Sequence, residues 1–368
     1  MELTQQDQLR LNVLLAQSVQ AIRIDESRMT LHALSEKGEA SIDLHADCKD
    51  EKYLKLVRQW LSTQILGSPG GYPVYLKRWT RMGQGIGTAS SDSLEKLLLL
   101  GEPEAIVAVV HAPDISNEIA RRAWWCSATS ENARCLLRSP AVINGSMGTE
   151  LAEFLVEFLP FEESSRAIIN SVYSILHPGL VSDATRADVW KRAKRRNAFY
   201  LGFIGHGSTS LPKDKPAHAD YLRCQELMQH HPSPMLELLL ELFSPSGQTL
   251  LDIMGIVLRK PNDQDVAVEC FNKVGETFSL EYNLPRNWRD IDELNACVEK
   301  TITAKVFQDI INSWPSARQY IYAILYLSML SETLLDPIFG VTDSIGSVMR
   351  KRIKHLTDPI LVQLTALT

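Results

Sequence analysis

The strongest constraint on the fold is a succession of short helical patterns that fills most of the chain. From residue 92 onward, apolar residues recur at three- and four-residue spacing in stretches of about 8 to 15 residues. Short linkers with capping or helix-breaking residues separate these stretches, as in Ser139-Pro140 and His177-Pro178-Gly179. Such stretches can bury their apolar faces only against one another, so we predict a mostly α protein.

The first 66 residues follow a different pattern. Residues 3–16 predict a short amphipathic helix, and residues 50–66 predict a second helix with one apolar face. Between them, residues 21–44 show near-alternation of apolar and polar side chains, interrupted by turn residues at 25–27 and 36–39. This pattern predicts three short strands in an antiparallel meander, and therefore a small α+β unit.

We predict four segments along the chain. A small α+β unit (helix, three-stranded antiparallel meander, helix and Gly/Pro-rich connector) spans residues 1–87, and a helical array spans 88–207. Residues 208–219 read as a linker, and residues 220–368 as a helical domain. The helical array is compatible with an irregular α-solenoid, although the sequence has no clean fixed repeat.

Composition and charge indicate an ordinary globular protein. Hydrophobic residues make up 45% of the chain, and a net charge of −6 argues against a global attraction to nucleic acid. The first residues lack the features of a secretory signal peptide, and Glu332 and two serines interrupt the most apolar late run, 320–335. Six scattered cysteines without a C-x-x-C pair suggest reduced thiols. We therefore predict a cytoplasmic protein that does not bind membranes.

Motif searches reveal no catalytic, cofactor or metal signature. In the glycine run 83–87, Thr88 occupies the place where a dinucleotide-binding fingerprint needs its third glycine. Ser210 stands where a nucleophile elbow around Ser208 needs its last glycine. Glu226 and His230 could supply two metal ligands, but a helix end is the simpler interpretation of this polar cluster. We predict no cofactor, no metal and no motif-borne catalytic residue.

A segment rich in glycine and proline, residues 67–83, carries the best candidate interaction surface. Its second half alternates aromatic rings with cations, a composition that is common at protein interfaces. A second candidate lies on the helix predicted over residues 117–126. The candidate residues are Tyr75, Lys77, Arg78, Trp79 and Arg81, followed by Arg121, Arg122 and Trp124.

The run Lys191–Arg196 holds five cations in six residues. It ends a predicted helix, where cations complement the helix dipole, so a solvated helix end explains it. The same cations could neutralise phosphates and bind RNA. Both interpretations stay open.

Cysteine chemistry is a third alternative. A reactive thiol needs an electropositive and partly exposed setting, and Arg121, Arg122 and Arg134 could provide one for Cys126 or Cys135. Both cysteines fall in predicted helices, where burial as small apolar side chains is more common.

Several strings together resemble a known family. They are LRLNVLLA (9–16), AIRIDESRMT (21–30), GSPGGYPVYLKRWTRMGQ (67–84), LLLGEPEA (98–105), ARRAWW (120–125), GSMG (145–148) and FLVEFLPF (154–161). The chain resembles the sulfur reduction protein DsrS family, soluble proteins encoded beside the reverse-acting dissimilatory sulfite reductase of sulfur-oxidising bacteria. The resemblance implies a cytoplasmic accessory protein of sulfur oxidation, and it brings no catalytic residues with it.

Three functional hypotheses follow. The first is a non-catalytic accessory or regulatory protein that acts through contacts with protein partners of the sulfite reductase or sulfur-relay system. The second is an RNA-binding regulator that uses Lys191–Arg196. The third is a thiol-dependent enzyme that handles sulfur.

Overall fold

The computed structural model describes residues 3–72, 91–208, 211–212, 215–282 and 284–368. Within these ranges the protein is mostly helical, with one small antiparallel sheet near the N-terminus followed by a helical array. The predicted fold class is therefore confirmed. Contacts divide the chain into an N-terminal unit, Met1–Phe158, and a C-terminal unit, Leu159–Thr368.

The N-terminal unit begins with one helix and the sheet. Its strands are β1 (Val19–Asp25), β2 (Thr30–Ser35) and β3 (Gly38–Asp43). Its helices are α1 (Gln5–Leu15), α2 (Asp50–Leu66), α3 (Ser91–Leu97), α4 (Pro103–Val110), α5 (Asn117–Cys126), α6 (Ser130–Leu136), α7 (Pro140–Ile143) and α8 (Ser146–Phe158).

The C-terminal unit contains helices and no strand among its described residues. They are α9 (Ser165–Ile175), α10 (Asp183–Ala193), α11 (Ala198–Ile204), α12 (Tyr221–His230), α13 (Pro234–Phe243), α14 (Pro245–Arg259), α15 (Gln264–Thr277), α16 (Ile291–Thr301), α17 (Lys305–Ser313), α18 (Ala317–Ser328), α19 (Asp336–Phe339) and α20 (Gly346–Thr365). Two short 3₁₀ turns, Leu159–Phe161 and Glu332–Leu334, also lie in this unit.

The sheet is a meander in the order β1-β2-β3, with both pairs antiparallel. Ile22 pairs with Ala33, and Leu31 pairs with Ile42. Alternation along the strands turns one set of apolar side chains toward α1 and α2, as the sequence predicts. The buried cluster there comprises Leu3, Leu11, Leu14, Ile22, Leu31, Ala33, Leu44, Tyr53, Leu54, Val57 and Leu61.

Side-chain capping begins many of the helices. A hydroxyl or carboxylate accepts a hydrogen bond from a backbone N–H of the first turn, which satisfies a donor that the helix itself cannot use. These caps are Thr4, Ser116, Thr129, Ser164, Ser182, Ser233, Ser244, Asp263 and Asp290. Polar residues ahead of apolar runs thus set the helix starts.

Some helix bounds differ from the sequence prediction. The apolar spacing over residues 291–311 predicts a single helix, and this prediction is wrong, because the chain breaks between α16 and α17 at residues 302–304. There the hydroxyl of Thr303 donates to the Lys300 carbonyl, and the Gln308 amide donates to the Ile302 carbonyl. These bonds replace those of a continuous helix. The spacing over residues 317–335 likewise predicts one helix, but α18 ends at Ser328, whereas α20 runs through Pro359.

Helices of the C-terminal unit also pack against helices distant in sequence. α14 contacts α11 and α20, and α20 also packs against α18. In a solenoid each repeat contacts only its neighbours. The contacts between distant helices therefore distinguish this unit from a regular solenoid. Residues 208–219, predicted as a linker, lie inside this unit, and the predicted boundary at residue 87 lies outside the described residues.

Across the ranges that the structure describes, no helix combines the length and the apolar character required to cross a bilayer.

Candidate functional site

The first candidate interaction surface falls outside the described residues. Tyr75, Lys77, Arg78, Trp79 and Arg81 all lie within residues 73–90, so their role stays a prediction.

The chain that leads into this segment is held in place. Gly67 ends α2 in the left-handed region at φ 68°, a conformation that glycine adopts without strain. The Gly71 N–H donates to Ser62 Oγ at 2.9 Å, and the Tyr72 N–H donates to Glu102 Oε2 at 2.9 Å.

The two arginines of the second candidate surface bind a common carboxylate. Arg121 Nη2 and Arg122 Nε donate to Glu118 Oε1 at 2.7 and 3.0 Å. Hydrogen bonds from Arg121 and then from Arg122 hold the pKa of Glu118 at about 2. Only 13% of the Arg122 side chain is exposed, whereas 40% of the Arg121 side chain is. Arg121 is therefore the more accessible of the two.

Trp124 packs into the N-terminal unit. It is 9% exposed, its indole N–H donates to Glu150 Oε1 at 3.0 Å, and its ring meets Phe154 edge-on at 4.8 Å. The half-buried Trp125 donates to Glu39 Oε1 at 2.6 Å and lies under the Arg23 guanidinium. The Trp124 contacts connect α5 to α8 and the Trp125 contacts connect it to the sheet, so the tryptophan pair serves the packing of this unit. A partner-binding role for Trp124 stays a prediction.

The basic run Lys191–Arg196 is partly engaged. Arg192 donates to Asp188 Oδ2 at 2.7 Å one turn earlier, and Arg196 donates to the Glu162 carbonyl at 2.8 Å. Lys191, Lys194 and Arg195 are exposed.

All six cysteines are free thiols, and their hydrogen-bond partners distinguish them. Cys126 Sγ donates to the Ile22 carbonyl at 3.6 Å, and burial raises its pKa to about 12. Cys224 Sγ donates to the Leu236 carbonyl at 3.6 Å, and burial again raises the pKa to about 12. Thiols in such settings behave as small apolar side chains with a weak donor.

Cys135 has a different partner. It lies on α6, and its Sγ is 3.3 Å from Nε2 of His111, the residue that ends α4. Nδ1 of the same ring is 2.9 Å from the Val107 carbonyl, which can only accept, so Nδ1 carries a proton. In the neutral ring, Nε2 is then the acceptor for the Cys135 S–H. In this arrangement the thiol donates its hydrogen bond to the imidazole, as a nucleophile does to its general base.

A small pocket opens onto this pair. Its volume is about 260 Å³, and it lies where α4, α6 and α7 meet. Asp114, in its wall, adopts φ 54°, a left-handed conformation that is uncommon for residues other than glycine. The lining residues are Val110, His111, Ala112, Pro113, Asp114, Ile115, Cys135, Arg138, Ser139 and Pro140. The pocket thus combines a thiol, a base and a guanidinium in one small space.

Opposing effects act on the Cys135 thiol. Burial raises its pKa, and the nearby positive charges of Arg138 and Arg134 act in the opposite direction. Burial has the larger effect, so the resting group is the thiol rather than the thiolate. Chemistry at this sulfur therefore depends on proton transfer to His111.

Sequence reasoning named Cys135 and Arg134 but missed His111 and Arg138. Arg138 follows Cys135 by three residues, just beyond the end of α6, so its nearness in the sequence was an available signal. His111 is 24 residues away, at the end of another helix, and had no signal in the sequence.

A larger cavity of about 610 Å³ lies in the C-terminal unit beside His230, His231 and Asp309. No cysteine is among the residues that line this cavity. Among the residues that the structure describes, no three His, Cys, Asp or Glu side chains are grouped so that they could hold a metal ion. The Cys135 pocket therefore has the more specific chemistry of the two.

Comparison of the chain with protein-family models, with curated proteins and with solved structures found no match. The resemblance to the DsrS family therefore stays a sequence-based expectation, and the site must be judged on its geometry.

Proposed function

We propose that this chain is an accessory protein of sulfur oxidation that carries sulfane sulfur on Cys135. The observation that supports the proposal is the 3.3 Å contact between Cys135 Sγ and His111 Nε2 at the wall of a small pocket. The resemblance to the DsrS family adds the sulfur context. It does not by itself point to this cysteine.

The proposed step is exchange of one sulfur atom between two thiols. His111 Nε2 takes the proton from Cys135, and the thiolate attacks the outer sulfur of a donor persulfide. A new S–S bond forms on Cys135, the S–S bond of the donor breaks, and the donor thiolate takes the proton back from His111. One thiol and one persulfide enter and one of each leave, so the step needs no added oxidant or reductant.

Arg138 would bind the negative charge that develops on sulfur, because a guanidinium remains protonated throughout the accessible pH range. A pocket of about 260 Å³ admits the end of a side chain or a small polysulfide rather than a bulky ligand. The donor and the acceptor are then cysteine persulfides and thiols presented by partner proteins.

The direct test is to incubate the protein with inorganic polysulfide and to weigh the intact chain by mass spectrometry. We expect the mass of one added sulfur atom, located on the peptide that contains Cys135 and removed by a reducing agent. Cys135→Ala should lose this addition. Cys297→Ala is the control, because Cys297 is a half-buried free thiol whose sulfur lies beside a hydroxyl, that of Thr301, rather than an imidazole. Equal sulfur loading of wild type and Cys135→Ala would contradict the proposal.

The accessory role also requires partners, and the sulfite reductase and sulfur-relay proteins are the ones that the resemblance implies. Affinity purification of the tagged protein from sulfur-grown cells, with and without nuclease, should recover them in both samples. Alanine at Arg78 and Trp79 should reduce this recovery if the segment 67–83 is the docking surface. Recovery that is unchanged in this variant would reject that surface while leaving the Cys135 test unaffected.

A further inference from the structure

Half of the lysines and arginines of residues 159–368 fall in three short segments: 191–196, 259–260 and 350–354. The fold of the C-terminal unit places these segments side by side. The Asn197 side chain, just after the first segment, donates to the Lys260 carbonyl at 2.8 Å. Arg350 Nη1 in turn donates to the Pro261 carbonyl at 3.1 Å. The residues around 260 therefore form a bridge between the two longer basic runs.

A groove runs along this bridge. It lies between the end of α14 and one face of α20, has a volume of about 360 Å³, and is open to solvent. Four cations line it: Arg259, Arg350, Lys351 and Lys354. The other lining residues are Leu258, Ser347, Ile353, Thr357, Asp358 and Leu361.

Acidic groups nearby cancel only part of this charge. Asp358 pairs with Lys354 across one turn of α20. Asp263, at the start of α15, already accepts hydrogen bonds from Ser165 Oγ and from the Val266 N–H. Asp265 is 4.0 Å from the exposed Arg166. Asp252, which lines a neighbouring pocket together with Arg259, is paired with Lys215 at 3.1 Å. The net charge of −6 therefore does not describe this surface.

We propose that this groove, defined by Arg259, Arg350, Lys351 and Lys354, binds single-stranded RNA through its phosphates. These cations come from two adjacent segments, and the run 191–196 is joined to them through the bond from Asn197 to the Lys260 carbonyl. Such an arrangement suits a ligand that offers several phosphates in a row, rather than one small anion. No aromatic ring is among the lining residues, so base stacking does not contribute and binding is independent of sequence. The exposed Ser347 provides a hydroxyl that matches the 2′-hydroxyl of RNA.

The test is fluorescence anisotropy of a fluorescein-labelled single-stranded RNA of mixed sequence, titrated with the full chain at several salt concentrations. The test variant is Arg259→Ala, Lys351→Ala, Lys354→Ala. The control variant is Lys300→Ala, Lys305→Ala, Arg318→Ala. Each removes one arginine, two lysines and one exposed ion pair, Lys354–Asp358 or Arg318–Glu299. Circular dichroism should show that both variants keep the helical content of the wild type.

We expect the test variant to bind RNA at least about tenfold more weakly at low salt, with a slope of log affinity against log salt smaller by about 2. The control should bind like the wild type. Absence of RNA binding by the wild type, or equal weakening in both variants, would overturn the proposal. Equal binding of single-stranded DNA, or binding of phosphatidylserine vesicles without RNA, would overturn the assignment to RNA. Loss of Cys135 should leave RNA binding unchanged, so this test is independent of sulfur loading.

Discussion

The Sγ of Cys135 and the Nε2 of His111 are 3.3 Å apart, although the two residues are 24 positions apart in the sequence. The contact arises because α4 ends at the imidazole just where α6 presents the thiol. A hydrogen bond from Nδ1 to the Val107 carbonyl orients the ring so that Nε2 faces sulfur. Orientation of a base by a backbone carbonyl is a common feature of nucleophilic sites.

Replacing His111 should slow the chemistry of Cys135. His111→Gln keeps a polar group but removes the base, so we expect alkylation of Cys135 by iodoacetamide at neutral pH to slow about tenfold. The measurement is the time course of modification of the Cys135 peptide by mass spectrometry. His230→Gln, at the end of α12, is the control and should leave the rate unchanged. An equal rate in His111→Gln would show that the imidazole does not activate the thiol.

Glu118 should make stability depend on pH. Its pKa is about 2, below the ordinary value of 4.5, so its contribution is complete above about pH 4.5 and is lost as pH falls toward 2. Because the side chain is 49% exposed, Glu118→Gln should cost only about 0.5–1 kcal/mol at pH 7. Urea unfolding at pH 7 and at pH 3 should show a smaller difference between variant and wild type at pH 3. A deficit that grows at low pH would contradict this assignment.

Gly202 should not tolerate a side chain. A Cβ there would lie 2.5 Å from Val172 Cβ and 3.0 Å from the Ile169 carbonyl, because α11 and α9 pack closely at this point. Gly202→Ala should therefore lower the free energy of unfolding by about 1–3 kcal/mol. The matched control is Gly255→Ala within α14, where a Cβ meets only the movable Arg259 guanidinium at 3.3 Å. That change should be neutral or stabilising, since alanine favours helix. Thermal denaturation of both variants distinguishes the two sites.

Removing the hydroxyl group should affect the stability of the protein differently at two tyrosines of α18. The Tyr320 hydroxyl donates to Asp220 Oδ2 at 2.6 Å, whereas the buried Tyr326 hydroxyl has no hydrogen-bond partner among the described residues. Tyr320→Phe should destabilise the protein by about 2 kcal/mol. Tyr326→Phe should be neutral or stabilising by about 1 kcal/mol, because it removes a buried group without a partner. Urea unfolding of the two variants gives the comparison. Equal losses would contradict the difference in pairing.

The local spacing of apolar residues was sufficient to predict most of the fold. The alternation over residues 21–44 predicted β1, β2 and β3, and the helical spacing over 50–66 predicted α2 with its bounds. These signals are strong because burial of one face imposes a period of 2 or 3.6 residues on the sequence. Where bounds failed, as between α16 and α17, side-chain hydrogen bonds to the backbone outweighed the apolar period.

The amino-acid sequence by itself determined the fold class, the helix caps and the presence of a cysteine worth testing, since each depends on residues close together in the chain. Only the tertiary structure decided which thiol has a base. It paired Cys135 with His111 and placed the half-buried Cys126 against the Ile22 carbonyl. It also joined the basic runs near residues 195 and 350 through the residues around 260. Such contacts depend on how separate helices pack, and no local period in the sequence records that packing.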